Sequence, residues 1–314
     1  KLYFGDTSKI IDGSWEEESV PALVTPDPNF KCIMVIDDGK EIRYHLDVVF
    51  PVLHGPRGED GTIQSIFELM NIPYVGCGVT SSALCMDKVF AKMILQQSGL
   101  PVVDFKVYFK DELADNMPNI ITEIIDTLGL PCFVKPANLG SSVGISKVEK
   151  EDELEAALNF AAKYDYKILV ECAVDAREIE CSVLGNEDPK TSLPGEIIPS
   201  RDFYDYTAKY LDGEKSKLIL PAPLAAEWTQ RIRDMAIQAF KALDCSGMAR
   251  VDFLMSKVSG NIYINELNTI PGFTDISMYS KMWEVTGISY DELIDELIQL
   301  ALSRHDKKNK LQLT

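Results

Sequence analysis

The sequence contains little histidine, no paired-cysteine motif and no long hydrophobic run. The histidines are His45, His54 and His305, and none has the spacing of a zinc site. The seven cysteines are scattered without a C-x-x-C pair, so a His- or Cys-ligated metal is not expected and a reduced compartment is favoured. No apolar run approaches the roughly 20 residues of a membrane span, and no signal peptide opens the chain. We therefore expect a soluble, cytoplasmic protein in which any metal has oxygen ligands.

Basic residues are also scarce. The chain has 31 Lys and Arg against 49 Asp and Glu, a formal net charge of -18. Nucleic acids and anionic membranes attract clusters of Lys and Arg, whereas this surface would repel them. We therefore expect neither as a partner, and an anionic ligand would require a locally basic pocket.

The composition that remains is globular. The 314 residues are 46% hydrophobic and 25% charged, enough for two or three packed units without disulfides. Short apolar strands alternate with amphipathic helices, which predicts an α/β architecture. We divide the chain into three regions, 1–86, 87–184 and 185–314. The predicted strands are 47–50, 132–135 and 167–171, and the predicted helices are 62–70, 88–97, 151–164, 225–243 and 291–303.

Two apolar-rich runs around a Ser/Gly turn predict a β-hairpin. The runs are residues 250–255 and 261–268. If the turn centres near Ser259, antiparallel pairing places Asp252 opposite Glu266 and Arg250 opposite Asn268, all on one face. Two carboxylates and an amide oxygen form a hard-oxygen site suited to Mg²⁺ that takes its other ligands from phosphate. The alternative is a solvated polar face, but the apolar neighbours indicate burial, which is costly for unpaired carboxylates.

A second pattern is typical of phosphate binding. A strand ends in Lys135 and runs into a loop in which Gly140 and Gly144 flank Ser141 and Ser142. Glycines let backbone N–H groups approach phosphate oxygens, and hydroxyls add donors. The loop is not a Walker A motif. An ordinary flexible turn is the alternative, but a magnesium face in the same chain supports the phosphate interpretation.

Two acidic positions are less specific. Glu171 ends a buried-type strand, and Glu178 follows it. Either could face an adenine or a ribose, and either could instead be a capping or surface charge.

Taken together, these motifs resemble those of the D-alanine:D-alanine ligases, in that family's order and over nearly the whole chain. The motifs are His54-Gly55 with Gly58-Glu59-Asp60-Gly61, Met86-Asp87-Lys88, Lys135-Pro136 through Gly144, Tyr204-Asp205-Tyr206 through Lys209-Tyr210, and Asn265 through Thr274. The resemblance implies an ATP-grasp fold of class α/β (α+β), in which two subdomains hold ATP beside an N-terminal wound α/β domain. That family's domain opens with a Gly-rich loop whose Glu binds the first D-alanine. No such segment occurs here, so we expect the N-terminal domain to be truncated at its start.

The resemblance also implies residue roles. ATP would be bound by Lys88, Lys135, Ser142, Glu171, Glu178 and Lys209. Two Mg²⁺ ions, or Mn²⁺ in their place, would be held by Asp252, Glu266 and Asn268. The catalytic group would be Arg250, Ser141, Tyr210 and Gly272, and the D-alanine substrates would meet His54, Ser277 and Met278.

The implied activity joins two D-alanines for peptidoglycan precursors through a D-alanyl phosphate, in an enzyme expected to be a homodimer. The segment from Tyr204 to Tyr210 would act as a lid that excludes water. Tyr210 disfavours D-lactate as second substrate, because D-lactate-using relatives carry His in that loop. D-serine stays open as second substrate. Other interpretations are a peptide or glutathione-type ATP-grasp ligase and a nucleotide-binding module without catalysis.

Overall fold

A computed structural model of the protein describes residues 1–6, 8–37, 39–140, 142–198, 217–274 and 277–312. The N-terminal part begins with helices α1 (Ser8–Asp12) and α2 (Trp15–Glu18). An antiparallel sheet in the order β1-β2-β3 follows, formed by β1 (Ala22–Val24), β2 (Cys32–Asp37) and β3 (Lys40–His45). Helices α3 (Thr62–Leu69), α4 (Val79–Met86) and α5 (Lys88–Gln97) complete this part, and the predicted helices at 62–70 and 88–97 are confirmed.

The predicted strand at 47–50 is wrong in extent. Within the described residues, Val49 forms only an isolated parallel bridge with Tyr74. Val48 and Phe50 instead pack against a buried cluster that contains Tyr279 and Trp283. The apolar run is therefore covered by side-chain packing, not by a strand ladder.

A four-stranded antiparallel sheet forms the middle of the chain, in the order β4-β7-β5-β6. Its elements are β4 (Phe105–Phe109), α6 (Lys110–Thr127), β5 (Cys132–Pro136), β6 (Ser146–Val148), a 3₁₀ turn (Glu151–Glu153), α7 (Leu154–Ala161) and β7 (Lys167–Cys172). The helical period predicts a buried stripe on α7. That stripe is confirmed, and it consists of Leu154, Ala157, Leu158 and Ala161. Together with Ile120 and Ile124 of α6, it covers one face of the sheet.

A larger antiparallel sheet follows, in the order β11-β10-β8-β12-β13, with β9 paired to β8. Its elements are β8 (Ala176–Gly185), β9 (Lys190–Thr191), β10 (Gly195–Ile198), β11 (Lys217–Ile219), α8 (Ala226–Ala242), β12 (Gly247–Ser256), β13 (Ile262–Asn268), α9 (Met278–Thr286) and α10 (Tyr290–Asn309). The chain passes from one sheet to the other between Cys172 and Ala176, whereas the predicted region boundary at 184/185 coincides with the end of β8. The three-region division itself stays a prediction.

Helix α5 packs against both sheets. Its N-cap is Asp87, whose Oδ1 accepts from the backbone N–H groups of Val89 and Phe90 at 3.0 and 3.2 Å and so satisfies two free donors at the helix start. Val89 packs on the four-stranded sheet. Ala91 and Leu95 lie in the core of the larger sheet. The helix therefore joins the cores of the two sheets.

Among the described helices, none has the combination of length and apolar character that a membrane crossing requires.

Candidate functional site

The predicted hairpin is confirmed at the positions that matter for the site. Strands β12 and β13 pair Arg250 with Asn268 and Asp252 with Glu266. Closer to the turn the register shifts at a β-bulge, because Phe253 pairs with Ile264 and leaves Asn265 as the extra residue. A bulge increases the local twist and changes the direction of neighbouring side chains. Here it lies next to Glu266.

The Arg250 guanidinium is held by carboxylates on two strands. It donates to both oxygens of Asp252 at 2.7 Å, and its Nε lies 3.2 Å from Oε2 of Glu180. Asn268 Nδ2 also donates to Asp252 Oδ2 at 2.9 Å. Burial would lower the pKa of Arg250, but Asp252 and Glu180 outweigh it and hold this pKa well above its ordinary value. Arg250 is therefore a fixed cation with a defined orientation.

Glu180 was missed by the sequence analysis. It lies opposite Asp252 on β8, and Glu178 shares its face because the two residues are two positions apart. The available signal was the alternation of Glu178, Glu180 and Ser182 with apolar residues along β8. The acidic face therefore spans three strands, not the hairpin alone.

Lys88 connects this face to the predicted phosphate loop. Its Nζ lies 3.4 Å from Glu266 Oε2 and donates to the backbone carbonyl of Leu139 at 2.8 Å. The loop is also fixed by Asp165, whose Oδ2 accepts from Asn138 N at 2.7 Å and from Asn138 Nδ2 at 3.0 Å. Two predicted features, the loop and the carboxylate face, are thus brought to one place.

The donor set suits a divalent cation. Glu178, Glu180, Asp252 and Glu266 supply more negative charge than Arg250 and Lys88 balance. In the described part of the chain, no three His, Cys, Asp or Glu side chains converge as a self-sufficient metal cage. Two carboxylates with an amide are instead the partial set that Mg²⁺ takes when phosphate oxygens complete its shell.

Lys135 and Glu171 form a second charged group, on neighbouring strands of the four-stranded sheet. Glu171 is 2% exposed, and its Oε2 pairs with Lys135 Nζ, while its Oε1 lies 2.6 Å from Nζ of Lys92. Burial would raise the pKa of Glu171, but Lys135 and Lys92 outweigh it and lower this pKa to about 2. Glu171 therefore stays ionised inside the protein and supports Lys135.

This lowered pKa predicts a pH dependence of stability. The unfolded carboxyl takes up a proton near its ordinary value of 4.5, whereas the folded one does so near 2. The ion pair therefore stabilises the fold fully above pH 4.5 and loses this contribution as the pH falls toward 2. The difference in unfolding free energy between the wild type and Glu171→Gln should shrink by about 1 kcal/mol from pH 7 to about 3.5, in urea titrations. A pH-independent difference would contradict the ion pair.

His54 lies where the N-terminal loop meets the end of the hairpin. Its Nδ1 is 3.0 Å from the backbone oxygen of Ile270. In the same loop, Gly55 N donates to Glu59 Oε2 at 2.5 Å, and burial raises the pKa of Glu59. Glu59 was not singled out as a site residue from sequence. The available signal was its position between two glycines in a loop that contains His54.

The segment after β13 places Gly272 against Ser277. A side chain at 272 would bring its Cβ to 2.8 Å from Ser277 Oγ, so a larger residue there would force the Ser277 hydroxyl to move. Ser277 Oγ accepts from Thr274 N at 2.8 Å, and Ser277 precedes helix α9. The side chain of Met278 is 5% exposed and packs on Ile197 and Met282. Met278 can therefore offer its backbone N–H at the helix start, but not its side chain, to a ligand.

Three predicted catalytic or ATP-binding residues, Ser141, Lys209 and Tyr210, fall outside the described residues, as does the whole predicted lid from Tyr204 to Tyr210. Ser142 is described and has φ 57, a left-handed backbone within the phosphate loop.

Comparison with known proteins identifies the same family along most of the chain. Residues 6–77 match the family model described as D-ala D-ala ligase N-terminus, and residues 94–299 match D-ala D-ala ligase C-terminus. The D-alanine–D-alanine ligase of Thermoanaerobacter sp. (strain X514) is 58% identical over 307 residues, covering 98% of this chain and 85% of that protein.

Solved structures agree with this match. The D-alanine-D-alanine ligase from Coxiella burnetii is 39% identical, with a TM-score of 0.81 over 96% of this chain and 78% of that one. The VanG D-Ala:D-Ser ligase from Enterococcus faecalis is 40% identical, with a TM-score of 0.85 over 95% of this chain and 85% of that one.

Proposed function

The chain belongs to the D-alanine–D-alanine ligase family, and we infer that it is an ATP-dependent enzyme that joins two D-alanines into D-alanyl-D-alanine. ATP is converted to ADP and phosphate. The observation that carries this inference is the face formed by Arg250, Asp252, Glu266 and Asn268 beside Lys88, within a chain that matches the family over nearly its whole length. The dipeptide would serve peptidoglycan precursor synthesis in the cytoplasm.

ATP would lie in the cleft between the two sheets. Lys88 and Lys135 would supply ammonium groups to the phosphates, and Mg²⁺ would offset the excess of carboxylates beside them. Ser142 would donate to a phosphate from its loop, and Glu178 would face the ribose or adenine. Glu171 would act mainly by supporting Lys135, since its carboxylate is buried between two lysines. Lys209 would reach the phosphates from the predicted lid.

Asp252, Glu266 and Asn268 would hold Mg²⁺, as two ions, with Mn²⁺ as a substitute. The metal would supply positive charge to the phosphate oxygens of ATP. The protein's own part is to keep these oxygen donors on one face, which the pairing of Asp252 with Glu266 and of Arg250 with Asn268 supports.

The ligation itself would proceed in two steps on substrate atoms. The carboxylate of the first D-alanine, near His54, attacks the γ-phosphorus of ATP and releases ADP, which leaves an acyl phosphate. The amine of the second D-alanine, held by its carboxylate at Ser277 and Met278, attacks the acyl carbon. Arg250 and the Gly272 N–H stabilise the oxyanion that forms from the neutral amine. The nitrogen then gives one proton to the departing phosphate, and the bond from the acyl carbon to the phosphate oxygen breaks as the amide is made. Ser141 and Tyr210 would belong to the closed lid.

A product assay tests this function and its alternatives. Purified protein with ATP and Mg²⁺ should be supplied with D-alanine alone, with D-alanine plus D-serine, and with D-alanine plus D-lactate, and products identified by mass. We expect D-alanyl-D-alanine in all three and no ester. A dominant D-alanyl-D-serine product would instead assign the specificity of the VanG relative. ATP binding without phosphate release would favour a non-catalytic module.

The oligomeric state is a separate proposal, a homodimer, motivated by the family resemblance. Light scattering of the purified protein would measure its mass, and a monomer at assay concentration would contradict it.

A further inference from the structure

Lys92 is a buried lysine that none of the roles above includes. It lies on α5, one helical turn after Lys88, and is 1% exposed. Its Nζ is 2.6 Å from Oε1 of Glu171 on β7. Lysine is rarely buried to this degree unless it is paired, because removing an ammonium group from water is costly. The ion pair with Glu171 therefore explains why a lysine can occupy this buried position.

Glu171 is shared between two lysines of unequal exposure. The Lys92 side chain is 2% exposed, whereas the Lys135 side chain, on the other carboxylate oxygen, is 13% exposed. Strand pairing places Phe133, the residue two before Lys135, directly opposite Glu171, so Lys135 and Glu171 lie on the same face of the sheet. Lys92 thus lies behind Glu171, and Lys135 lies on the side nearer solvent.

The charges of this group explain why two lysines surround one carboxylate. Counted by the formal charges of two lysines and one glutamate, the group formed by Lys92, Glu171 and Lys135 has a net charge of one positive unit. Without Lys92, Glu171 and Lys135 would form a neutral pair. A neutral pair has no excess charge with which to attract a polyphosphate, and Glu171 would compete with the nucleotide for Lys135.

We propose that Lys92 is a positioning residue for ATP: by neutralising Glu171 from behind, it leaves the charge of Lys135 available to the nucleotide. The inference deepens the proposed function and rests on Lys135 being part of the ATP site. Lys92 itself does not touch substrate in this arrangement; it acts through Glu171.

Replacing Lys92 with Met tests this role, because Met has a similar length and no charge. We expect the Kd for a non-hydrolysable ATP analogue with Mg²⁺, and the KM for ATP, to rise at least about ten-fold, while the KM for D-alanine changes less than about two-fold. A matched control is Lys106→Met, which removes a lysine paired with Glu123 at 2.7 Å on the surface. That control should change neither constant by more than about two-fold.

A double variant separates positioning from general damage. In Lys92→Met with Glu171→Gln, no buried carboxylate competes for Lys135, so ATP should bind at least about three-fold more tightly than to Lys92→Met alone. A merely structural role for Lys92 would instead restore the free energy of unfolding in the double variant without a gain in ATP affinity relative to D-alanine. If Lys92→Met does not fold, as judged by circular dichroism, Lys92→Gln replaces it with the same expectations.

The outcomes distinguish this inference from the proposed function. If Lys135→Met leaves ATP affinity unchanged, the proposed ATP site is wrong. If Lys135→Met weakens ATP binding but Lys92→Met does not, only the role of Lys92 is wrong. The role of Lys92 is also wrong if Lys92→Met raises the KM for ATP and the KM for D-alanine equally. It is wrong as well if the double variant binds ATP no more tightly than Lys92→Met.

Discussion

Glu266→Gln is expected to reduce turnover by about a thousand-fold or more and to leave the fold intact. Gln keeps the volume of Glu but removes the charge that would hold Mg²⁺ opposite Asp252. Its side chain is 24% exposed, so water can replace contacts that the charge makes, and we expect the fold to persist. The measurement is phosphate release with saturating ATP and D-alanine, together with the thermal unfolding midpoint.

The matched control for this substitution is Glu296→Gln on α10. Glu296 also pairs with a lysine, Lys190, at 2.7 Å, but on the surface and away from the acidic face. This control should retain turnover within about two-fold. Near-normal turnover in Glu266→Gln would contradict the magnesium hypothesis. If the variant loses both activity and folded structure, the Arg250 variants below provide the test of this face.

Arg250→Met is expected to reduce turnover strongly and to destabilise the protein. In the wild type, the guanidinium balances the negative charges of Asp252 and Glu180. Removing one partner of a buried ion pair leaves uncompensated charge and costs about 3 kcal/mol. Turnover should fall about a thousand-fold, because the oxyanion proposed for the ligation step would lose its cation. Urea titration and kcat at saturating substrates measure the two effects separately.

Arg177→Met provides the comparison for Arg250. Arg177 makes the same kind of two-point pair, with Glu196 at 2.7 Å for both contacts, but on the opposite face of β8. It should lower stability while leaving turnover largely unchanged. Arg250→Lys should recover part of the stability but not the turnover, since an ammonium group cannot reproduce the two-point contact. A fully active Arg250→Lys enzyme would contradict the role in catalysis.

The hairpin could be predicted from sequence because its geometry is local. A short turn and the two-residue period suffice to pair Asp252 with Glu266. The bulge could not be obtained by assuming symmetric pairing throughout. Ile264 and Leu267 both lie in the core although they are three residues apart, and strict alternation cannot bury both. That spacing was the signal that one extra residue had to be accommodated.

Contacts between distant parts of the chain were harder to predict from the sequence. Lys92 and Glu171 are on a helix and a strand that meet only in the folded protein, and nothing in their sequence spacing indicates the ion pair. The N-terminal sheet was missed for another reason. Every residue of β3, Lys40–His45, is exposed, so this strand has no buried face to give an alternating pattern.

Helix α5 carries two of the lysines that surround the proposed ATP site. Lys88 and Lys92 project from a single rigid segment of ten residues, one toward the acidic face and the other toward Glu171. The same segment is anchored in the cores of both sheets. Any tilt of one sheet relative to the other would therefore shift both ammonium groups at once. If Lys88 and Lys135 bind ATP as proposed, a movement of this helix would change the contact of Lys88 with the triphosphate and the support of Lys135 together.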